Sequence, residues 1–221
     1  MLQSSTLKFL KDLKKNNNKP WFDTHRKEYE AAKEDFLNFV QAVIDKHGKK
    51  DKTISGLKAK DCVFRINRDV RFSKDKSPYK TNMGAYINRG GKKSVFGGYY
   101  FHCEPGQAFL GGGLWMPMPP ELSKVRQEID YNLNAFKKII SSKKFKSVYK
   151  DLSRDDEYVL SRVPKGYEPT NPAAEYLKMK SFVSLTKISD NDLTSKTLIN
   201  KTLTAFEALQ PLIEFINASI E

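Results

Sequence analysis

Apolar residues recur at three- and four-residue spacing near both ends of the chain and alternate with polar ones through its middle. That pattern predicts helices on either side of a sheet. Leu7, Leu10 and Leu13 set a first helix over Thr6–Lys15, with Ser4 or Ser5 as N-cap and Asn16-Asn17-Asn18 as its end. Tyr29, Phe36, Phe39, Val40 and Val43 set a second over Asp23–Lys46, stopped by Gly48, with Trp21 and Phe22 folding back before it. After a lysine-rich linker (49–60), the segments 62–66, 70–72, 84–88, 98–103 and 107–110 read as strands parted by Gly-Gly and Pro-Gly turns. Gly111-Gly112-Gly113 and Pro117, Pro119 and Pro120 then close the strand region. From Pro120 a stripe of Leu122, Val125, Ile129, Leu133, Phe136 and Ile140 predicts a long amphipathic helix. Residues 143–170 read as a short helix and irregular connections. Asn171-Pro172 opens a short helix at 173–179, and 181–188 alternates as a last strand. A C-terminal helix carries Leu198 to Ile216, with Pro211 kinking or splitting it.

These elements define an α+β fold: an antiparallel meander flanked by N- and C-terminal helices. The chain reads as one domain, 1–221, with a helical part at 1–48, a sheet part at 61–118 and a helical part at 120–221.

Charge changes the picture next. The first 120 residues hold 23 basic against 12 acidic side chains, +11 of the formal +13. Such a field draws phosphates, nucleic acid and other polyanions, although it also serves plain solubility. No apolar run reaches membrane-spanning length, and the lysines near the N-terminus break any secretory core. Cys62 and Cys103 alone make no disulfide framework. The expected location is the cytoplasm.

The densest chemistry lies in 62–81, CVFRINRDVRFSKDKSPYKT. In a regular strand Arg65, Asn67, Asp69 and Arg71 share one face, and Arg68 falls on the apolar side. Lys74, Lys76 and Lys80 follow. Guanidinium forks bind carboxylate and phosphate oxygens two at a time, so the segment suits an anion pocket or an internal ion-pair network. In the first reading Asp69 orients an arginine and Tyr79 supplies a wall or a hydrogen bond. Trp115, after the triple glycine, offers a stacking surface. His25, His47 and His102 have no metal-ligand spacing, so no metal and no cofactor are expected. His102, Cys103 and Glu104 are adjacent rather than spaced. No GxGxxG, P-loop, GxSxG or HExxH motif occurs.

Four segments together carry a family resemblance. They are Asn16-Asn17-Asn18-Lys19-Pro20-Trp21-Phe22 with Arg26 and Tyr29; Arg65-x-x-Arg68-Asp69-x-Arg71-Phe72-Ser73-x-Asp75-Lys76-x-Pro78-Tyr79-Lys80-Thr81; Gly112-Gly113-Leu114-Trp115-x-Pro117; and Arg162-x-Pro164-x-Gly166-Tyr167 with Asn171-Pro172 and Leu177-Lys178. Read together they resemble the bacterial and fungal family of conserved hypothetical proteins called domain of unknown function 2461. The resemblance implies a single-domain protein, brings no established activity or catalytic residue, and places the arginine segment within the family's pattern. Pro20 departs from it, where an acidic or polar residue is more usual.

The expectation is therefore a small anionic ligand, phosphate- or carboxylate-bearing, held by Arg65, Arg68, Arg71 and Lys80 beside Asp69, Tyr79, Trp21 and Trp115. Two alternatives stand. One is an enzyme on a phosphorylated or nucleotide substrate with Asp69 as general base. The other is a nucleic-acid binder, for which no recognition motif is present.

Overall fold

The computed structural model describes residues 1–221. Four six-residue strands, β1 (Met83–Asn88), β2 (Gly98–Cys103), β3 (Phe109–Leu114) and β4 (Phe182–Lys187), form an antiparallel sheet in the order β1-β2-β3-β4. Ten helices accompany it. Before it come α1 (Ser4–Lys15), α2 (Lys19–Thr24), α3 (Arg26–His47) and α4 (Ala59–Cys62). Between β3 and β4 lie α5 (Pro119–Tyr131), α6 (Leu133–Ile140), α7 (Lys143–Tyr149) and α8 (Ala174–Leu177); α9 (Asp190–Thr194) and α10 (Leu198–Ile220) close the chain. The α+β meander between N- and C-terminal helices is thus the observed architecture. No helix is long and apolar enough to cross a membrane.

One face of the sheet is dry. Alternation along β2 sends Tyr99, Phe101 and Cys103 into the core, all buried. There Phe101 stacks on Phe36 of α3 and Tyr99 on Phe206 of α10. The apolar cluster runs continuously from Leu2 to Ile220.

Several local expectations give way to tertiary context. Trp21 and Phe22 occupy their own short α2, capped when the Asn18 side chain accepts from Trp21 N. The N-cap position of α1 is Gln3 rather than a serine, and Asp35 of α3 reaches across to accept from Gln3 N and Thr6 Oγ1. Residues 62–72 form no strand. After α4 the chain makes only isolated bridges, Val63 with Ala85 and Asn67 with Tyr79. Too few apolar positions in this charged segment face the core to hold a regular ladder. Gly111-Gly112-Gly113 does not end the strand region but forms the centre of β3. A Cβ at Gly113 (φ 114°) would sit 2.0 Å from Phe182 O of β4. Asn132 divides the long predicted helix into α5 and α6. Pro211 does not split α10, because Leu209, Leu212, Ile213 and Ile216 bury one continuous face across it.

Candidate functional site

The other face of the sheet is open and concave. Its rows read Gly84–His102–Phe109, Tyr86–Tyr100–Gly111–Leu185 and Asn88–Gly98–Gly113–Val183 across the strands. Glycines at 111 and 113 leave bare backbone in the floor. A cleft of about 690 Å³ results, walled by Phe64, Phe96, Tyr100, Phe109 and Trp115. Such a volume lies within the usual range for small-molecule sites. The hydroxyl of Tyr86 is tied to Phe96 O (3.1 Å) and Gly113 O (3.2 Å), which fixes the loop before β2 against the floor. Polar groups are few. Glu121, in the first turn of α5, lines the cleft with Oε2 buried and without a hydrogen-bond partner. Lys92 is held by Lys60 O and Asp61 O.

At one end of the cleft the alternation of β2, carried one residue past its end to Glu104, lines up three titratable side chains. Tyr100 Oη lies 3.2 Å from His102 Nδ1, and His102 Nε2 lies 3.3 Å from Glu104 Oε2. Glu104 Oε1 accepts from Thr81 Oγ1 (2.9 Å) and pairs with Lys14 of α1 (3.5 Å). The imidazole lies flat on Phe109, ring centres 4.6 Å apart. Burial pushes the Tyr100 phenol up to about 12. Burial also holds His102 below the usual imidazole value, against an opposing pull from Glu104. The neutral ring therefore donates from Nε2 to the carboxylate and accepts at Nδ1 from the phenol. Gly84 lies opposite His102, and a Cβ there would come within 2.6 Å of Tyr100 Oη.

The arginine segment lies beside this cleft as an irregular hairpin, held by Arg68 N to Pro78 O and Lys80 N to Ile66 O. Arg68 turns into its own loop, bonding Asp75, Ser77 O (3.0 Å) and Ser73 Oγ (3.3 Å). Ser77 first, then Arg68, draws the Asp75 carboxyl down to about 2. Arg71 makes a two-point bond to Asp69, at 2.9 and 2.6 Å, and lowers that carboxyl too. Neither guanidinium lines the large cleft. Arg65 is exposed and makes no ion pair, and Lys80 Nζ bonds Arg65 O (3.0 Å). Lys80 also stands 5.5 Å over the ring of Phe64, a cleft wall. Its pKa is lowered, by burial first and then by the neighbouring charge of Arg65.

Tyr79 is buried, stacked on Phe22 (4.0 Å), with its backbone N and O both bonded to the Asn17 side chain. Trp21 stacks on His25 away from the cleft (4.0 Å). Of the eight residues singled out in the sequence only Trp115 lines the cleft, half exposed and edge-on to Tyr158. Tyr100, His102 and Glu104 escaped that reading. The signal was present, since alternate positions of a strand share a face. No group of three or more His, Cys, Asp or Glu side chains is placed to hold a metal ion. Cys62 and Cys103 are buried free thiols, which burial raises to about 11 and about 12.

Fold and site define an α+β domain with a glycine-floored, aromatic-walled cleft on the open face of a meander. The family model described as "Conserved hypothetical protein (DUF2461)" matches residues 5–215, and the chain belongs to that family. No curated protein and no solved structure matches the chain.

Proposed function

We propose that the protein binds a small organic anion in this cleft: a flat apolar body against the aromatic walls, with a carboxylate or phosphate directed to Arg65 and Lys80. The observation that carries the reading is the 690 Å³ cleft itself, whose floor is bare backbone and whose walls are rings. Offset stacking on such walls contributes about 0.5–1.5 kcal/mol per pair beyond burial. Arg65 and Lys80 support the anionic end, because they are neighbouring cations with no carboxylate bonded to either, next to the wall residue Phe64. Arg68, Arg71, Asp69, Tyr79 and Trp21 then support the hairpin and its seat on the helices rather than touching the ligand.

The alternatives draw less support. Asp69, as a general base for phosphoester chemistry, is engaged by Arg71 and kept acidic. A nucleic-acid role rests on the basic first half of the chain alone.

Thermal-shift screening with aryl carboxylates and nucleoside monophosphates tests the proposal. Wild type should gain at least about 3 °C with a member of the panel, a shift matching on the order of 1 kcal/mol for a domain of this size. Leu185→Trp fills the cleft from a half-exposed position and should abolish the gain, and Lys80→Ala should weaken it about tenfold. A panel without effect, or binding unchanged in Leu185→Trp, overturns the reading.

A further inference from the structure

We propose that Tyr100, His102 and Glu104 form a proton relay, and that Tyr100 is a general acid–base for a substrate held in the cleft. The proposal rests on the cleft reading above and adds chemistry to it.

Three independent features favour a relay over a packing arrangement. The first is order: phenol, imidazole and carboxylate stand in line at 3.2 and 3.3 Å, the sequence in which a proton can move outward from the cleft. The second is that the far end is anchored. Glu104 is held at its other oxygen by Thr81 and Lys14, so its position is set and it fixes the imidazole's tautomer and orientation. The third is the space kept for the phenol. Gly84 lacks the one atom that would displace the Tyr100 hydroxyl, while Phe109 clamps the imidazole plane.

The step balances without a co-reactant. An acidic O–H or C–H bond of the substrate breaks, and its electron pair stays on the substrate. That proton bonds to Tyr100 Oη as the phenol's own proton passes to His102 Nδ1. The resulting imidazolium is paired with Glu104, and the reverse movement returns the proton to the same atom or to a neighbouring one. Proton abstraction with return at a second position, as in an isomerisation of a carbonyl compound, is the reaction class this permits. Tyr100 alone touches the substrate; His102 and Glu104 act through it.

The relay can be probed without the natural substrate, using N-acetylimidazole on the intact protein. The acyl carbon bonds to Tyr100 Oη, the probe's C–N bond breaks, and imidazole leaves with that electron pair. The phenol proton passes to His102 and on to the leaving imidazole. Tyr131, three-quarters exposed, is the internal reference, and mass spectrometry of peptides reads the ratio. A half-buried phenol with a raised pKa and no base behind it reacts more slowly than Tyr131. The relay instead predicts Tyr100 at least about tenfold faster, a ratio that falls to one or below in His102→Gln. Gly84→Ala, which crowds the Tyr100 hydroxyl and the adjoining ring edge, should lower it as well.

The groups facing His102 are Tyr100 and Glu104, with Lys14 and Thr81 behind Glu104 and Phe109 on the ring; Lys187 pairs with Phe109 on the next strand. Glu104→Gln removes the charge that favours the imidazolium, so the acid limb of the Tyr100/Tyr131 ratio moves to lower pH and the plateau falls. A Tyr100 no faster than Tyr131, or a ratio indifferent to His102→Gln, overturns the relay. A reactive Tyr100 in a protein that binds no member of the ligand panel leaves the relay standing and removes the binding proposal. An inert Tyr100 beside a proven ligand does the reverse.

Discussion

Tyr99 and Tyr100 are neighbours on β2, yet they belong to different environments. Tyr99 points into the core, where its ring stacks on Phe206, meets His47 edge-on, and donates its hydroxyl to Asp51 at 2.8 Å. Burial, reinforced by that carboxylate, drives its pKa far above the ordinary phenol value. Tyr100 points into the cleft and hands its hydroxyl to an imidazole. On the dry face the polar atom has one fixed partner and the geometry is closed. On the open face the hydrogen bond continues through a second titratable group to a third. The same residue type thus supplies stability on one side of the sheet and chemistry on the other.

That contrast can be tested with paired substitutions. Phe101→Ala on the core face removes a ring packed on Phe36 and Phe39 and should cost about 3–5 kcal/mol in urea unfolding, whereas Leu185→Ala on the open face should stay within about 0.5 kcal/mol. Equal losses would abolish the distinction between the faces. Tyr99→Phe should cost about 1–3 kcal/mol, because it leaves the buried Asp51 short of a donor, while Tyr100→Phe should be nearly neutral for stability.

The smallest effect concerns pH. His47 is buried with neither ring nitrogen bonded, and burial holds its pKa below the ordinary imidazole value. The unfolded chain therefore takes up this proton first as pH falls. The stability it contributes is complete above the ordinary value of about 6.5 and is lost as pH falls through the folded pKa. His47→Phe should flatten that part of the stability profile, with His102 retaining a share of it. An unaltered profile would show that the core face carries no titratable cost.

Much of this layout could be read from the residues alone. The strand at 98–103, the antiparallel character of the meander and the flanking helices follow from periodicity, since tertiary packing there agrees with local pattern. The segment 62–72 misled, because its alternation of charge and apolar residues imitates a strand whose ladder has nothing to pack on. The triple glycine misled in the opposite direction. Glycine weakens a strand in isolation, and only the demand for bare backbone between β2 and β4 makes it the residue of choice. For the site, arginine density drew attention to side chains that mostly bond their own loop. The spacing Tyr100-x-His102-x-Glu104 lay hidden inside a sequence read for adjacency.

Gly112 faces the core side of the same strand, where a Cβ would come 2.4 Å from Gly98 O, and α10 packs over β3 with Asn217 bonding Gly97 through both N–H and C=O. The partition between the C-terminal helix and the cleft is accordingly one peptide thick. The flanking strands crowd Gly111 and Gly113 on the cleft side and Gly112 on the core side, so a mutation that enlarges any of them forces β3 from its partners and deforms the floor of the pocket. An engineer seeking to reshape the pocket has to work from its rim, at Val95, Trp115, Met118 or Leu185.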